Sequence, residues 1–368
     1  MSRPTAEQQI QFLVKIQRLL NEGTFVATYK FALLQALADL SVEKGDDSGD
    51  PLEIRTRDIA KKFIQYYAPQ ALPFPSPGRT PEVLKQNPSQ QAEVIGKLVP
   101  LVAQVGTNIS KLRKSERLWN PLETAVNRKI KEDPLWRLQI LGNDCDDFLY
   151  ENSGEYVNVE SITLREGVVY NFRQFHILIL DLIRGAWIRH IRTIKANDQI
   201  LGQTKNISDF LFGSERENLT IYRDFLKDIQ SGACFYCRDH IPGAGEVDHF
   251  IPWVKYPVDL GHNFVLAHPK CNNAKRDYLA AENHLGNWFE RNNRHFDDMK
   301  WFFGDQGIIN DLSSSNQVTR WAYEQAENAS AHVWVMSGET QPIGQSYINW
   351  RSFFEQDHFG LEEAADRE

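Results

Sequence analysis

Apolar residues recur at helical spacing over most of this chain. Ile10, Leu13, Val14, Leu19 and Leu20 follow a Thr5/Gln8 capping box, predicting a first helix with Gly23 as its stop. "TYKFALLQALADLSVEKG" predicts a second helix ending at Gly45, and "TRDIAKKFIQYYAP" a third. Six of the sixteen prolines then crowd between Pro69 and Pro88. Proline removes backbone donors, so the stretch near 69–90 reads as a loop or an internal linker. Helical spacing returns from Ala92 to Lys131, and the only early stretch with strand character is "NDCDDFLYENSGEYVNVESITLREGVVYNF". Phe172 to Lys195 reads as one long helix, apolar in its first half and basic in its second. Ser214 to Gln230, "LAAENHLGNWFERNNRHF" and "NQVTRWAYEQAENASAHVWVM" read as further helices, and the acidic tail "LEEAADRE" as a frayed end. The chain is therefore expected to be mainly α with a small α+β insert. Its expected parts are a mostly helical region 1–225, the insert 226–285 and a helical C-terminal segment 286–368.

Composition narrows the class. A chain of 368 residues is long enough for two domains, and 42% apolar with 24% charged residues is ordinary for a soluble protein. Four cysteines are too few for a secreted disulfide scaffold, and "MSRPTAEQQIQFL" lacks the apolar core of a signal peptide. The most apolar stretch, "FHILILDLIRGAWI", is short and carries Asp181 and Arg184, which reads as a buried helix rather than a membrane span. A cytoplasmic setting is expected. A formal charge of −8 disfavours indiscriminate binding to polyanions, although one basic face suffices to meet phosphate.

Three of the four cysteines fall between residues 234 and 271. Cys234-x2-Cys237 presents two thiolates to one ion, and His268-x2-Cys271 repeats that spacing about thirty residues later. Such a Cys3His set suits a tetrahedral structural zinc. His240 and His262 are alternatives to His268 as the fourth ligand. Between the knuckles, "GEVDHFIPW" places Asp248 beside His249 in a strand-like run. Asn263 then precedes the strand-like "FVLA", and a helix begins near Cys271. Strand, loop, strand and helix make a ββα unit.

These residues together resemble the HNH endonuclease family in its zinc-knuckle, ββα-metal branch. The family pattern is CxxC, (D/H)H, N and CxxC(H/N)xxK. Here it reads Cys234, Cys237, Asp248-His249, Asn263, Cys271-Asn272 and Lys275. His268 departs from it, standing where the second pair begins with cysteine, and Asn272 stands where the last His can stand. The resemblance implies a metal-dependent DNA endonuclease or nickase that leaves 5′-phosphate and 3′-hydroxyl ends. The residue types agree with that chemistry. A free imidazole titrates at about 6.5, so His249 suits a general base, with Asn263 orienting it through a hydrogen bond. Asp248 and Asn272 offer oxygen ligands to a catalytic Mg2+ or Mn2+ while leaving room for water and phosphate. Lys275 and Arg276 would meet the phosphate. The alternative is a catalytically silent, zinc-stabilised module that only binds nucleic acid. The motif leaves open the target, nicking against double-strand cutting, DNA against RNA, and the oligomeric state.

Beyond the insert, "TYKFALLQALADLSVE" and "RGAWIRHIR" resemble a group of bacterial HNH nucleases, several found among anti-phage defence genes, with the type II Zorya kind as one candidate. The helical region would then grip DNA or dock other proteins of a defence system. Arg189, Arg192 and Lys195, with Trp187 beside them, form the basic stretch best suited to phosphate. A second basic stretch, Lys111 to Arg137, has eight Lys/Arg against four Asp/Glu. A solvated helix face explains either stretch equally well.

Overall fold

The segment "YKFALLQALADLSVEK" is apolar on every side, the signature of a helix with no solvent face. In the computed structural model it is the buried axis of the first of two compact units, Met1–Ser214 and Glu215–Glu368. The structure describes residues 3–23, 25–75, 80–106, 109–202, 207–213 and 219–355.

In the first unit, helices α1 (Ala6–Glu22), α2 (Tyr29–Lys44) and α3 (Thr56–Gln70) follow the expected spacing. The capping box forms: the Thr5 hydroxyl accepts from the Gln8 amide at 3.3 Å, and the Gln8 side chain accepts from the Thr5 amide at 2.8 Å. The buried face of α1 differs from expectation. Phe12, Ile16 and Leu19 enter the core, while Ile10 and Val14 are exposed. The helix is apolar on two sides, and spacing alone does not choose between them. Strand β1 (Leu52–Arg55) pairs antiparallel with β2 (Ser161–Leu164), so the stretch of strand character finds its partner a hundred residues upstream. The proline-rich stretch passes through a short hairpin of Pro73–Phe74 with Glu82–Val83, and Phe74, Leu84 and Gln86 are buried in the same core. Helices α4 (Glu93–Val105) and α5 (Glu116–Glu132) follow. The expected long helix is divided: α6 (His176–Thr193) is bounded by Phe175 and Ile194, with separate short helices on either side. Two of the buried charges are paired, which offsets the cost of burying them. Lys62 bonds Glu43 at 2.6 Å and Arg173 bonds Asp47 at 2.6 Å.

The second unit is built on a hairpin of β3 (Glu246–His249) and β4 (Phe264–Ala267), in the register Asp248↔Val265 and His249↔Phe264. Helix α7 (Pro269–Lys275) follows directly and completes the expected ββα unit. Helices α8 (Glu282–Arg294) and α9 (Leu312–Asn328) pack against it. "HVWVM", expected to end a helix, is instead strand β5 (His332–Met336), paired with β6 (Glu339–Pro342). Gly338 turns that hairpin at a φ of +81°. Val333 and Trp334 are buried there, so tertiary packing decides against helical propensity. The acidic tail lies outside the described residues.

The turn between the strands is fixed from α8. The Arg291 guanidinium donates to the carbonyls of Phe264 at 2.5 Å and His262 at 2.7 Å, and the Trp288 indole to His262 at 2.9 Å. Gly261 sits under Phe303, whose ring would lie 2.5 Å from any added Cβ, so only glycine fits. Arg291→Ala strands the buried Phe264 carbonyl, at a cost of about 1–3 kcal/mol, and leaves the His262 carbonyl to the Trp288 indole. Urea denaturation of the variant should show a loss of roughly 2 kcal/mol, against a change within about 0.5 kcal/mol for an exposed control such as Arg294→Ala.

Candidate functional site

The Cys/His cluster forms as the spacing predicts. The ligand atoms of Cys234, Cys237, His268 and Cys271 all lie within 4.8 Å of one another. His268 Nδ1 is 3.3 Å from Cys237 Sγ and 4.0 Å from Cys271 Sγ. Its Nε2 lies 3.0 Å from the carbonyl of His240, which can only accept, so Nε2 carries the proton and Nδ1 faces the thiols as a lone pair. The geometry therefore brings His268, rather than His240 or His262, to the three thiols. His240 supports it through its carbonyl, and His262 is buried elsewhere, with burial pushing its imidazole down to about 4. Burial also pushes the Cys271 thiol up to about 12, with Cys234 and Cys237 adding to the shift. Three crowded thiols ionise together only around a cation, and the donor set is that of zinc.

Asp248 and Glu246 alternate onto one face of β3, and α7 covers that face. Asp248 Oδ2 accepts from the Tyr236 hydroxyl at 2.6 Å and pairs with Lys275 at 3.1 Å. Glu246 accepts from the Asn272 amide nitrogen at 2.9 Å, which turns the amide oxygen of Asn272 away from it. Asp248 Oδ1 and Asn272 Oδ1 have no hydrogen bond among the described residues. A carboxylate oxygen and an amide oxygen are the kinds of donor that a hard divalent cation takes.

His249 is buried, its ring against Trp253 and Phe264 at centroid distances of 5.0 and 5.2 Å. Its Nε2 lies 2.8 Å from Asp259 Oδ1. A carboxylate only accepts, so Nε2 carries the proton and Nδ1 is the basic nitrogen.

Two expected roles are placed differently. Asn263 does not bond the imidazole; it clamps the main chain of Ile251, accepting from the amide at 2.7 Å and donating to the carbonyl at 3.0 Å. The imidazole's partner is Asp259, ten residues beyond His249 in a loop without pattern. Lys275 has no exposed surface: its ammonium lies between Asp248 and the His249 carbonyl, 3.0 Å away, where it braces the strand end rather than meeting solvent. Arg276, next in sequence, is exposed at the end of α7 with a φ of +50°, a conformation uncommon for a residue with a Cβ. Glu246 was also missed, although its position two residues before Asp248 on a strand was a readable signal.

Residues 234–277 match the HNH endonuclease family. The match runs from the first cysteine of the knuckle to just past Arg276, and so takes in both sets of expected metal ligands and the Asp248-His249 pair. No curated protein and no solved structure matches the chain. Outside the HNH domain, Arg189 and Arg192 on α6 and Lys195 beyond it are exposed, with no ion pair among the described residues. Trp187, expected beside them, is fully buried against Phe31. No helix among the described residues is long and apolar enough to cross a membrane.

Proposed function

We propose that this protein is a metal-dependent DNA endonuclease or nickase whose HNH domain hydrolyses phosphodiester bonds. The observation that carries the reading is the agreement of an independent family match with the local geometry: the same segment holds a base, its carboxylate partner and two free oxygen ligands. His249 Nδ1 takes a proton from the attacking water. Asp259 holds the imidazole in the tautomer that makes this possible and stabilises the cation formed. Asp248 and Asn272 would hold Mg2+ or Mn2+, which supplies charge stabilisation at the phosphate oxygens when bound. Tyr236 and Lys275 fix Asp248, Glu246 fixes Asn272, and Asn263 fixes the chain beyond the base. Arg276 supplies the exposed cation for the scissile strand. A place in bacterial anti-phage defence, with partner proteins of such a system, rests on the likeness of the flanking segments.

The test is incubation with supercoiled plasmid and Mg2+ or Mn2+, with chelated and His249→Ala controls. Metal-dependent conversion to nicked or linear DNA is expected; binding without cutting under every metal would establish the silent module instead. DNA capture is separable. Arg189→Ala with Arg192→Ala should weaken DNA binding and reduce the salt slope by roughly one for each phosphate left unneutralised. An unchanged slope in titrations at several salt concentrations would return that face to solvent.

A further inference from the structure

The first unit holds a cavity of about 400 Å³, lined among others by Tyr29, Lys30, Lys129, Trp136, Arg137 and the start of α4. Its volume is within the range of small-molecule sites. Lys30 is 8% exposed, yet its ammonium has no hydrogen bond and no ion pair among the described residues. Its nearest aromatic partner is the Phe25 ring, 5.5 Å from Nζ. A buried ammonium without a counter-ion is costly, and burial with Arg137 nearby pushes Lys30 down to about 8.

The carboxylates on the wall are committed elsewhere. Asp133 bonds Arg137 at 2.7 Å and Lys129 at 3.4 Å, and only weakly offsets the Lys30 charge. Glu93 meets Arg128 at 3.2 Å and Lys97 at 3.6 Å. Helix α4, thirteen residues long, opens its N-terminal end on the same space, adding partial positive charge. Trp136, with the Arg137 guanidinium 4.4 Å from its ring centroid, supplies a planar surface of the kind that nucleobases stack on.

We propose that this cavity is a binding site for a nucleoside phosphate, separate from the HNH domain, with Lys30 as its buried anion partner. The phosphate meets Lys30 and the start of α4, and the base lies against Trp136. A single nucleotide fits the volume; the same chemistry is offered by the 5′-phosphorylated end of a short DNA strand.

Isothermal titration of the full chain without divalent metal would use AMP, a 5′-phosphorylated dinucleotide, inorganic phosphate and adenosine. AMP or the dinucleotide should bind saturably and more tightly than phosphate, and adenosine should not bind; the tighter of the two identifies the source. Lys30→Met keeps the unbranched stem but removes the charge. It should weaken binding at least tenfold while raising the thermal midpoint, because an uncompensated buried charge is removed. Plasmid cutting should be unchanged, so this result is independent of the nuclease reading. Arg137→Gln, an exposed change, should weaken binding even if Lys30→Met fails to fold. AMP and the dinucleotide binding no better than adenosine, or binding unchanged in both variants, would overturn the proposal.

Discussion

His249→Ala should reduce plasmid cleavage by at least ~100-fold, the usual contribution of a general base, while DNA and Mg2+ still bind. The variant removes the imidazole but leaves Asp248, Asn272 and their supports in place. Asp259→Asn is the sharper test, because the side chain stays almost the same size. Its amide nitrogen can donate to His249 Nε2, which would move the ring proton to Nδ1 and leave no base facing the water. The loss should again be at least ~100-fold, the scale of a lost general base. Raising the pH should not restore it, since the fault is the position of the proton rather than its affinity. Asn263→Ala should behave otherwise: the clamp on Ile251 is removed, so a lower thermal midpoint should accompany the slower cutting. If Asp259→Asn cuts as fast as the parent while His249→Ala is inactive, the carboxylate is only a structural partner.

These contrasts also explain how far the sequence could be read. The Cys3His cluster and the Asp248-His249 pair are legible because each depends on spacing of a few residues, where backbone geometry fixes what can meet. Asp259 was not legible. Its meeting with His249 depends on the path of the loop after β3, which is set by Gly261 under Phe303 and by Arg291 reaching from α8. The role of Lys275 failed for a related reason. A lysine one turn into a helix is ordinarily solvent-facing, and only the packing of α7 across β3 buries it. The mainly helical fold with its ββα insert was readable from periodicity, whereas "HVWVM" became a strand because of what Trp334 packs against. Local pattern gave the chemistry's residue types, and long-range packing assigned their tasks.

Removing the zinc should slow cleavage by about tenfold or more, although zinc is given no step in the proposed reaction. The link is Tyr236, which lies between the two knuckle cysteines and donates to Asp248 at 2.6 Å. Burial holds its phenol well above the usual range, so it stays protonated and remains a donor. A knuckle that loses its ion also loses the geometry that places this hydroxyl. Elemental analysis should find about one zinc per chain, as a closed four-ligand set holds a single ion, and Cys271→Ser should lose it. Acid should release it too: burial and crowding raise the Cys271 and Cys237 thiols, so protons compete more effectively as the pH falls. The hairpin itself should persist, because Phe264, Trp288 and Phe303 hold it to the helices beyond. Proteolysis of the zinc-free chain should therefore begin near residues 232–242, while the strands remain protected. Tyr236→Phe isolates the link, keeping the zinc and the fold but slowing cleavage by loss of one hydrogen bond to the Asp248 carboxylate, on the order of tenfold. A zinc-free protein with a protease-resistant knuckle and full activity would break the connection between the two sites.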